Sequence, residues 1–368
     1  MDTTINVNSI EFSNDYPNQS YYLLEVTNEI VDEIKKENKS NLVIKGLPNE
    51  DAVLCTKDKT FIIKGAQTSN AILLVSKNND KVSTLFQQHL ELIETKPRLN
   101  SLHTLVESKS LKSNLEYEEQ LESNSLGLSM NEILDNTQAS ENETLSYLSK
   151  INSFTLSNGN IIKLSDEYKM RIIDLIIAEI TINSWSLEKV PIKDCIENLK
   201  SQVPKEILLQ CINIYSLKAD QSTTTEKEQE EDYFKFNTNL LCIDRAKQLL
   251  LLSSKGDWQY ETFMENWKDS LSFDLKPTFD ILRGLAIINV NKGSTQRFVK
   301  YIDQSTLSLL PKNRFKELFQ LSSRWTIDTI EPYINTIIPP KTSLEQFILT
   351  YSRAISSPNG EKTIVPRV

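Results

Sequence analysis

Between Asn41 and Val75 the chain is interrupted too often to be a helix. Leu42-Val43-Ile44 gives way to Gly46-Leu47-Pro48-Asn49. Ala52-Val53-Leu54-Cys55-Thr56 follows and is broken by Lys57-Asp58-Lys59. Thr60-Phe61-Ile62-Ile63 then leads through Gly65 and Gln67-Thr68-Ser69-Asn70 to Ala71-Ile72-Leu73-Leu74-Val75. Short apolar runs rich in β-branched residues, divided by glycine, proline or charged turns, predict four strands in an antiparallel meander. Such a meander must hide its edges. It is therefore either a small, mostly closed barrel or a sheet that a partner completes.

The chain has 368 residues, enough for two to four domains. Its net charge of -9 argues against wholesale coating of DNA but leaves room for one basic module. Met1 to Asp15 has neither a basic head nor an apolar centre, so no signal peptide is expected. No run approaches the ~18 apolar residues of a membrane span. Cys55, Cys195, Cys211 and Cys242 sit in apolar surroundings without a CxxC pair, which predicts buried thiols and a cytosolic or nuclear setting. His89 and His103 lie far from each other and from any cysteine–carboxylate cluster, so no metal site is expected.

Ser20 to Val26 reads as a strand and Asn28 to Ile34 as a short helix. Val82 to Glu94 reads as a further strand. After Lys96-Pro97-Arg98-Leu99 the apolar spacing becomes helical. Asn158-Gly159 predicts a hairpin between short strands. Helices are expected with Met170, Ile173, Ile176, Ile177 and Ile180 on one face, then with Cys195 and Leu199, then from Pro204 through Ile207, Cys211 and Tyr215. A polar, acidic loop from Asp220 to Asp232 precedes a strand at Tyr233 to Phe236 and a long helix over Leu240 to Leu252.

Three helices, a loop and a strand follow the winged-helix plan, and the plan recurs. Asp257 to Trp267 and Asp274 to Ala286 are expected helices. Ala286 to Val290 and Arg297 to Ile302 are expected strands around a turn at Asn291-Lys292-Gly293. Asn313 to Ser322 is a helix. A last unit has helices capped by Thr326 and Ser343 and a wing through Pro358-Asn359-Gly360. The fold class is therefore α+β: an N-terminal antiparallel β domain (1–95), linker helices with a first winged-helix domain (96–252), a second (253–322) and a third (323–368).

No phosphate loop, nucleophile elbow or Ser-His-Asp set is present, so neither a catalytic residue nor a cofactor is assigned. From Tyr301 to Val368 eight basic residues face six acidic ones, giving +2 and leaving -11 for the rest. Lys312, Arg314, Lys316, Arg324, Lys341, Arg353 and Lys362 are the candidate contacts to DNA phosphates. The predicted third helix of the first winged-helix domain offers only Lys205 and Lys218, too few donors for major-groove reading.

Several patches resemble the family of DCC-type sister chromatid cohesion proteins. They are Leu42-Val43-Ile44-Lys45-Gly46, Ala52 to Thr56, Lys59-Thr60-Phe61, and Thr68-Ser69-Asn70 before Leu73-Leu74-Val75. Lys96-Pro97-Arg98-Leu99, Trp185-Ser186, Val190-Pro191, Arg245-Ala246, Leu282 to Ala286, and Trp325 with Ile330, Pro332, Tyr333 and Ile334 continue it in order along nearly the whole chain. Gln67 stands where the family has glutamate, and its Tyr-x-Gly is missing around Leu111 to Tyr117. The resemblance implies a nuclear, non-ATPase accessory subunit of an alternative replication-factor-C clamp loader, without enzyme activity of its own. It implies a composite barrel with the C-terminal segment of the loader's large subunit and a small barrel-forming subunit. Val43, Ile44, Val53, Leu54, Phe61, Ile63 and Leu73 would lie at that interface. It further implies winged helices that touch single- and double-stranded DNA and the leading-strand polymerase, an indirect link to the sliding clamp, and no membrane. The competing expectation is a winged-helix transcription or chromatin scaffold.

Overall fold

A computed structural model describes residues 11–17, 21–35, 42–46, 50–76, 81–217, 233–252, 257–290, 295–356 and 362–367. The expected turn at 291–293, the expected wing tip at 358–360 and the acidic loop 220–232 lie outside the described residues. No helix among the described residues is long and apolar enough to cross a membrane. The chain divides into two compact units, one of residues 1–99 and 134–146, the other of 100–133 and 147–368.

The first unit holds β1 (Leu24–Glu25), α1 (Asn28–Lys35), β2 (Val43–Lys45), β3 (Val53–Cys55), β4 (Thr60–Val75) and β5 (Val82–Thr95). They form a curled, half-barrel sheet of order β1-β5-β4-β3-β2, antiparallel except for β1 beside β5. Ile30 of α1 packs on Leu54 and Phe61 to make its core. The last two runs of the expected meander are one strand of 16 residues. Gly65 does not turn the chain, since its φ is not among the positive ones and a Cβ there would meet nothing. Gln67-Thr68-Ser69-Asn70 is a bulge in the β4–β5 ladder, where the register shifts between Gln67 and Ile72. Residues 134–146 complete this unit. Glu143 accepts from Thr60 Oγ1 at 2.6 Å and from Ser140 Oγ at 2.7 Å, and Lys45 Nζ donates to the Ala139 carbonyl at 2.8 Å.

In chain order there follow α2 (Asn100–Ser108), α3 (Asn114–Glu122), α4 (Met130–Asp135), α5 (Glu141–Lys150) and the hairpin β6 (Phe154–Thr155) and β7 (Ile161–Ile162). Gly159 turns that hairpin at φ +85°. Then come α6 (Asp166–Ile182), β8 (Val190–Pro191), α7 (Ile192–Leu199), α8 (Lys205–Ile214), β9 (Tyr233–Phe234) and α9 (Thr238–Leu252). The remaining elements are β10 (Trp258–Gln259), α10 (Tyr260–Asp269), β11 (Ala286–Val290), β12 (Arg297–Tyr301), α11 (Pro311–Leu321), α12 (Ile327–Ile334), α13 (Leu344–Tyr351), β13 (Ser352–Ser356) and β14 (Lys362–Pro366).

From Asp166 onward one order recurs: helix, brief strand or bridge, two helical segments, then one strand (first repeat) or two (second and third), the last of which pairs with the opening strand or bridge. In the first repeat α6 leads, and Val190 pairs with Phe234. In the second α9 leads, and Trp258 pairs with Val299. In the third α11 leads, and Trp325 bridges Ile364 through mutual backbone bonds of 3.0 and 2.7 Å. Each repeat closes its own core, around Ile176, Cys211 and Tyr215, around Phe263 and Trp267, and around Phe315, Trp325 and Tyr333. The helix expected over Asp274 to Ala286 is only a 3-10 turn at Phe279–Leu282. Phe273 and Asp274 sit at φ +64° and +49°, and Pro277 removes a backbone donor.

Helix α9 serves two repeats at once. Cys242, Ala246 and Leu250 belong to the core of the second, where Trp267 Nε1 donates to the Cys242 carbonyl at 2.8 Å. Its other face carries charges toward the first repeat. Asp244 accepts from Lys169 Nζ at 3.0 Å and from the Tyr215 hydroxyl. Lys247 reaches Asp166 at 2.6 Å, and Arg245 pairs with Asp174.

Candidate functional site: an open sheet edge and a basic C-terminal surface

Strand β3 covers only Thr60 to Ile62 of β4. From Ile63 to Val75 the outer edge of β4 has no ladder partner among the described residues. Beyond the bulge Ile72, Leu73, Leu74 and Val75 are all exposed, at 37–49%. Successive strand residues face opposite ways, so both faces of this tip are apolar and both lack cover. A strand of that composition is normally buried on both sides. At the far edge, β2 leaves Val43 and Ile44 exposed at 51% and 67%.

Seven residues were expected at a partner interface, and the structure divides them. Val43, Ile44 and Leu73 are exposed. Val53, Leu54 and Phe61 are buried within the chain itself, and Ile63 packs beside them. These four are corrected to core: Leu54, Phe61 and Ile63 lie on the face that α1 covers, and Val53, on the opposite face, is buried as well. Sequence reading missed Ile72, Leu74 and Val75. The unbroken apolar run Ala71 to Val75 was the available signal, because it lacks the alternation of a half-buried strand.

At the other end of the chain, Lys312, Lys316, Arg324, Lys341, Arg353 and Lys362 are exposed. None of the six forms an ion pair with another described residue. Arg314 is different and is corrected. It is 2% exposed, and its Nε donates to the Ser308 carbonyl at 2.7 Å. Burial lowers its pKa, with Glu317 opposing. It secures the turn before α11 rather than meeting a phosphate. Arg353 and Lys362 lie on opposite faces of the β13–β14 hairpin, since Arg353 pairs with Val365 and Lys362 with Ser356. Helix α13, the third helix of the last repeat, has Glu345 as its one charged residue. That leaves no donor set for reading base edges and shifts the weight to backbone contact.

Of the cysteines, Cys195 and Cys211 are pushed up to about 12 by burial, so they stay thiols at neutral pH. His103 accepts or donates one bond, 2.9 Å, with the Tyr147 hydroxyl. His89 does meet carboxylates, those of Glu25 and Glu91, which the sequence order did not reveal.

The family model described as sister chromatid cohesion protein Dcc1 matches residues 21–334. A probable sister chromatid cohesion protein DCC1 of Dictyostelium discoideum is 44% identical over 371 residues, covering 97% of each chain. The Homo sapiens sister chromatid cohesion protein DCC1 is 28% identical, over 89% of this chain and 84% of its own. The Saccharomyces cerevisiae protein of that name is 24% identical, over 94% and 96%.

Proposed function

The chain belongs to the Dcc1 family of sister chromatid cohesion proteins, and from that premise we propose that it is the accessory subunit of an alternative clamp loader. Its role is in sister chromatid cohesion and the cell cycle. In this reading the half-barrel sheet takes strands from the loader's large subunit and from a small barrel-forming subunit. The three repeats act as tandem winged helices that contact DNA and the leading-strand polymerase in the nucleus. ATP hydrolysis belongs to partner subunits, and the sliding clamp is reached through them.

The observation that carries the barrel reading is the open edge of β4, whose exposed tip is apolar on both faces. Strand addition there satisfies backbone groups and buries Ile72 to Val75 together. The double variant Ile72→Glu/Leu74→Glu is expected to remain folded, because both side chains already face water, yet to fail to co-purify with the two co-expressed partner segments. Full recovery of the ternary complex with this variant rules the edge out as the joining site.

The DNA reading rests on six exposed cations that form no ion pair among the described residues. Removing Lys312, Lys316 and Arg324 together is expected to weaken binding to any sequence alike. The slope of log affinity against log salt should fall by about 0.9 for each duplex phosphate that the variant no longer neutralises. Anisotropy titrations at several salt concentrations read both quantities. Unchanged affinity and slope assign these side chains to polymerase docking, which a pull-down with the same variant then tests.

A further inference from the structure

We propose that Glu25, His89 and Glu91 form a binding site for a single zinc-class divalent ion on the face of the half-barrel sheet opposite α1. The parallel register of β1 and β5 sets Glu25 directly against Glu91. His89 precedes Glu91 by two residues and so shares its face. His89 Nε2 lies 3.2 Å from Glu25 Oε2 and 3.4 Å from Glu91 Oε1, and the three donor atoms fall within 4.8 Å of one another.

Those separations suit a metal as well as a hydrogen bond. Bonds of about 2.0–2.1 Å at tetrahedral angles place neighbouring ligand atoms about 3.3–3.4 Å apart. One Nε2 hydrogen can serve only one carboxylate well, whereas one ion at the centre serves all three donors. Like charges held opposite each other on a ladder repel. Neither Glu25 nor Glu91 has an ion pair with a lysine or arginine among the described residues, although Lys64 stands across the ladder from Glu91. The two carboxylates therefore flank one nitrogen donor without a lysine or arginine partner among the described residues. An imidazole with two carboxylates and room for water is a set for Zn²⁺ or a neighbouring transition ion. Ca²⁺ and Mg²⁺ prefer six or more oxygens.

Glu25 is on the two-residue edge strand β1, so the ion would staple that strand to β5. Metal at Nε2 leaves the imidazole proton on Nδ1, which is buried and makes no hydrogen bond. Ligating histidines usually satisfy that second nitrogen, so affinity is expected below that of a closed structural zinc site.

The test is titration of the full-length, tag-free chain with ZnCl₂ by calorimetry, and with Co²⁺ by visible absorption. One ion per chain and the d–d bands of tetrahedral Co²⁺ are expected. His89→Gln and Glu25→Gln should each weaken binding by at least ~10-fold, while Glu11→Gln on the same unit leaves it unchanged. Zinc should slow amide exchange over Leu23 to Glu25 in the wild type. Absence of Zn²⁺ binding by the wild type overturns the proposal. So does binding undiminished in His89→Gln or Glu25→Gln, each verified as folded by circular dichroism.

Discussion

Replacing Asp244 with alanine should cost the second unit about 3–5 kcal/mol, the range for breaking a buried ion pair from one side. Lys169 and Asp244 are 8% and 11% exposed in their side chains and 3.0 Å apart. The variant leaves Lys169 with Asp166 at 3.5 Å and leaves the Tyr215 hydroxyl, which now donates to Asp244, with only the weak acceptor Met170 Sδ at 3.5 Å. Burial and that carboxylate push the Tyr215 pKa up, so it stays a donor in need of an acceptor. The double variant Lys169→Met/Asp244→Leu removes both charges and should recover much of the loss, because well-packed apolar replacements of buried pairs are often neutral. Denaturant melts of wild type, single and double variants measure the coupling. Additive losses in the double variant would show that the pair is not a unit. The same network responds to acid. Burial alone would raise Asp166, but Lys169, Lys247 and Lys163 outweigh it and hold it at about 2. Its folded pKa lies below an unfolded value of about 3.9. The stability it contributes is present above that value and disappears as pH falls toward 2.

Trp325→Ala should be comparably severe in the third repeat, about 3–5 kcal/mol. Trp325 is 3% exposed, packs edge-on against Tyr333 at 5.6 Å between ring centroids, and donates from Nε1 to the Ser322 carbonyl at 2.9 Å. Its backbone also bridges Ile364, so it ties the β13–β14 hairpin to the core. Loss of the ring should therefore raise amide exchange in 352–356 and 362–366 before the helices respond. Trp325→Phe keeps the apolar volume in part but forfeits the Nε1 bond, and should fall between. Equal exchange in the hairpin and in α11 for the alanine variant would mean that the repeat opens as one piece.

Local chemistry was legible in the sequence, and pairing at a distance was not. Asn158-Gly159 announced its hairpin because the turn needs a residue tolerant of positive φ, and Thr326 and Ser343 announced helix starts because their hydroxyls accept from Thr329 N and Gln346 N. Arg314 stood among the candidate contacts because charge alone does not say which side of a helix faces inward. Phe315 and Leu318 fix which side of α11 faces inward, and Arg314 falls on it. The open edge of β4 was foreseen as a need for cover, but which side chains lie bare depends on how far β3 reaches along it. His89 with Glu25 and Glu91 depended on a parallel register between strands some sixty-five residues apart, which no periodicity records.

Helix α9 has a consequence for the order in which the protein can be made. Its charged face has all its partners, in α6 and at Tyr215, upstream in the chain. Its apolar face must wait for Trp267 and then for Val299, roughly fifty residues beyond Leu250. At about 5–20 residues per second, that interval lasts about 3–10 s. Throughout it, a nascent chain whose first repeat has already closed displays Cys242, Ala246 and Leu250 to solvent, a docked helix with one greasy side and no lid. Chaperone engagement during synthesis should therefore peak while the ribosome traverses that interval and fall once β12 has cleared the exit tunnel.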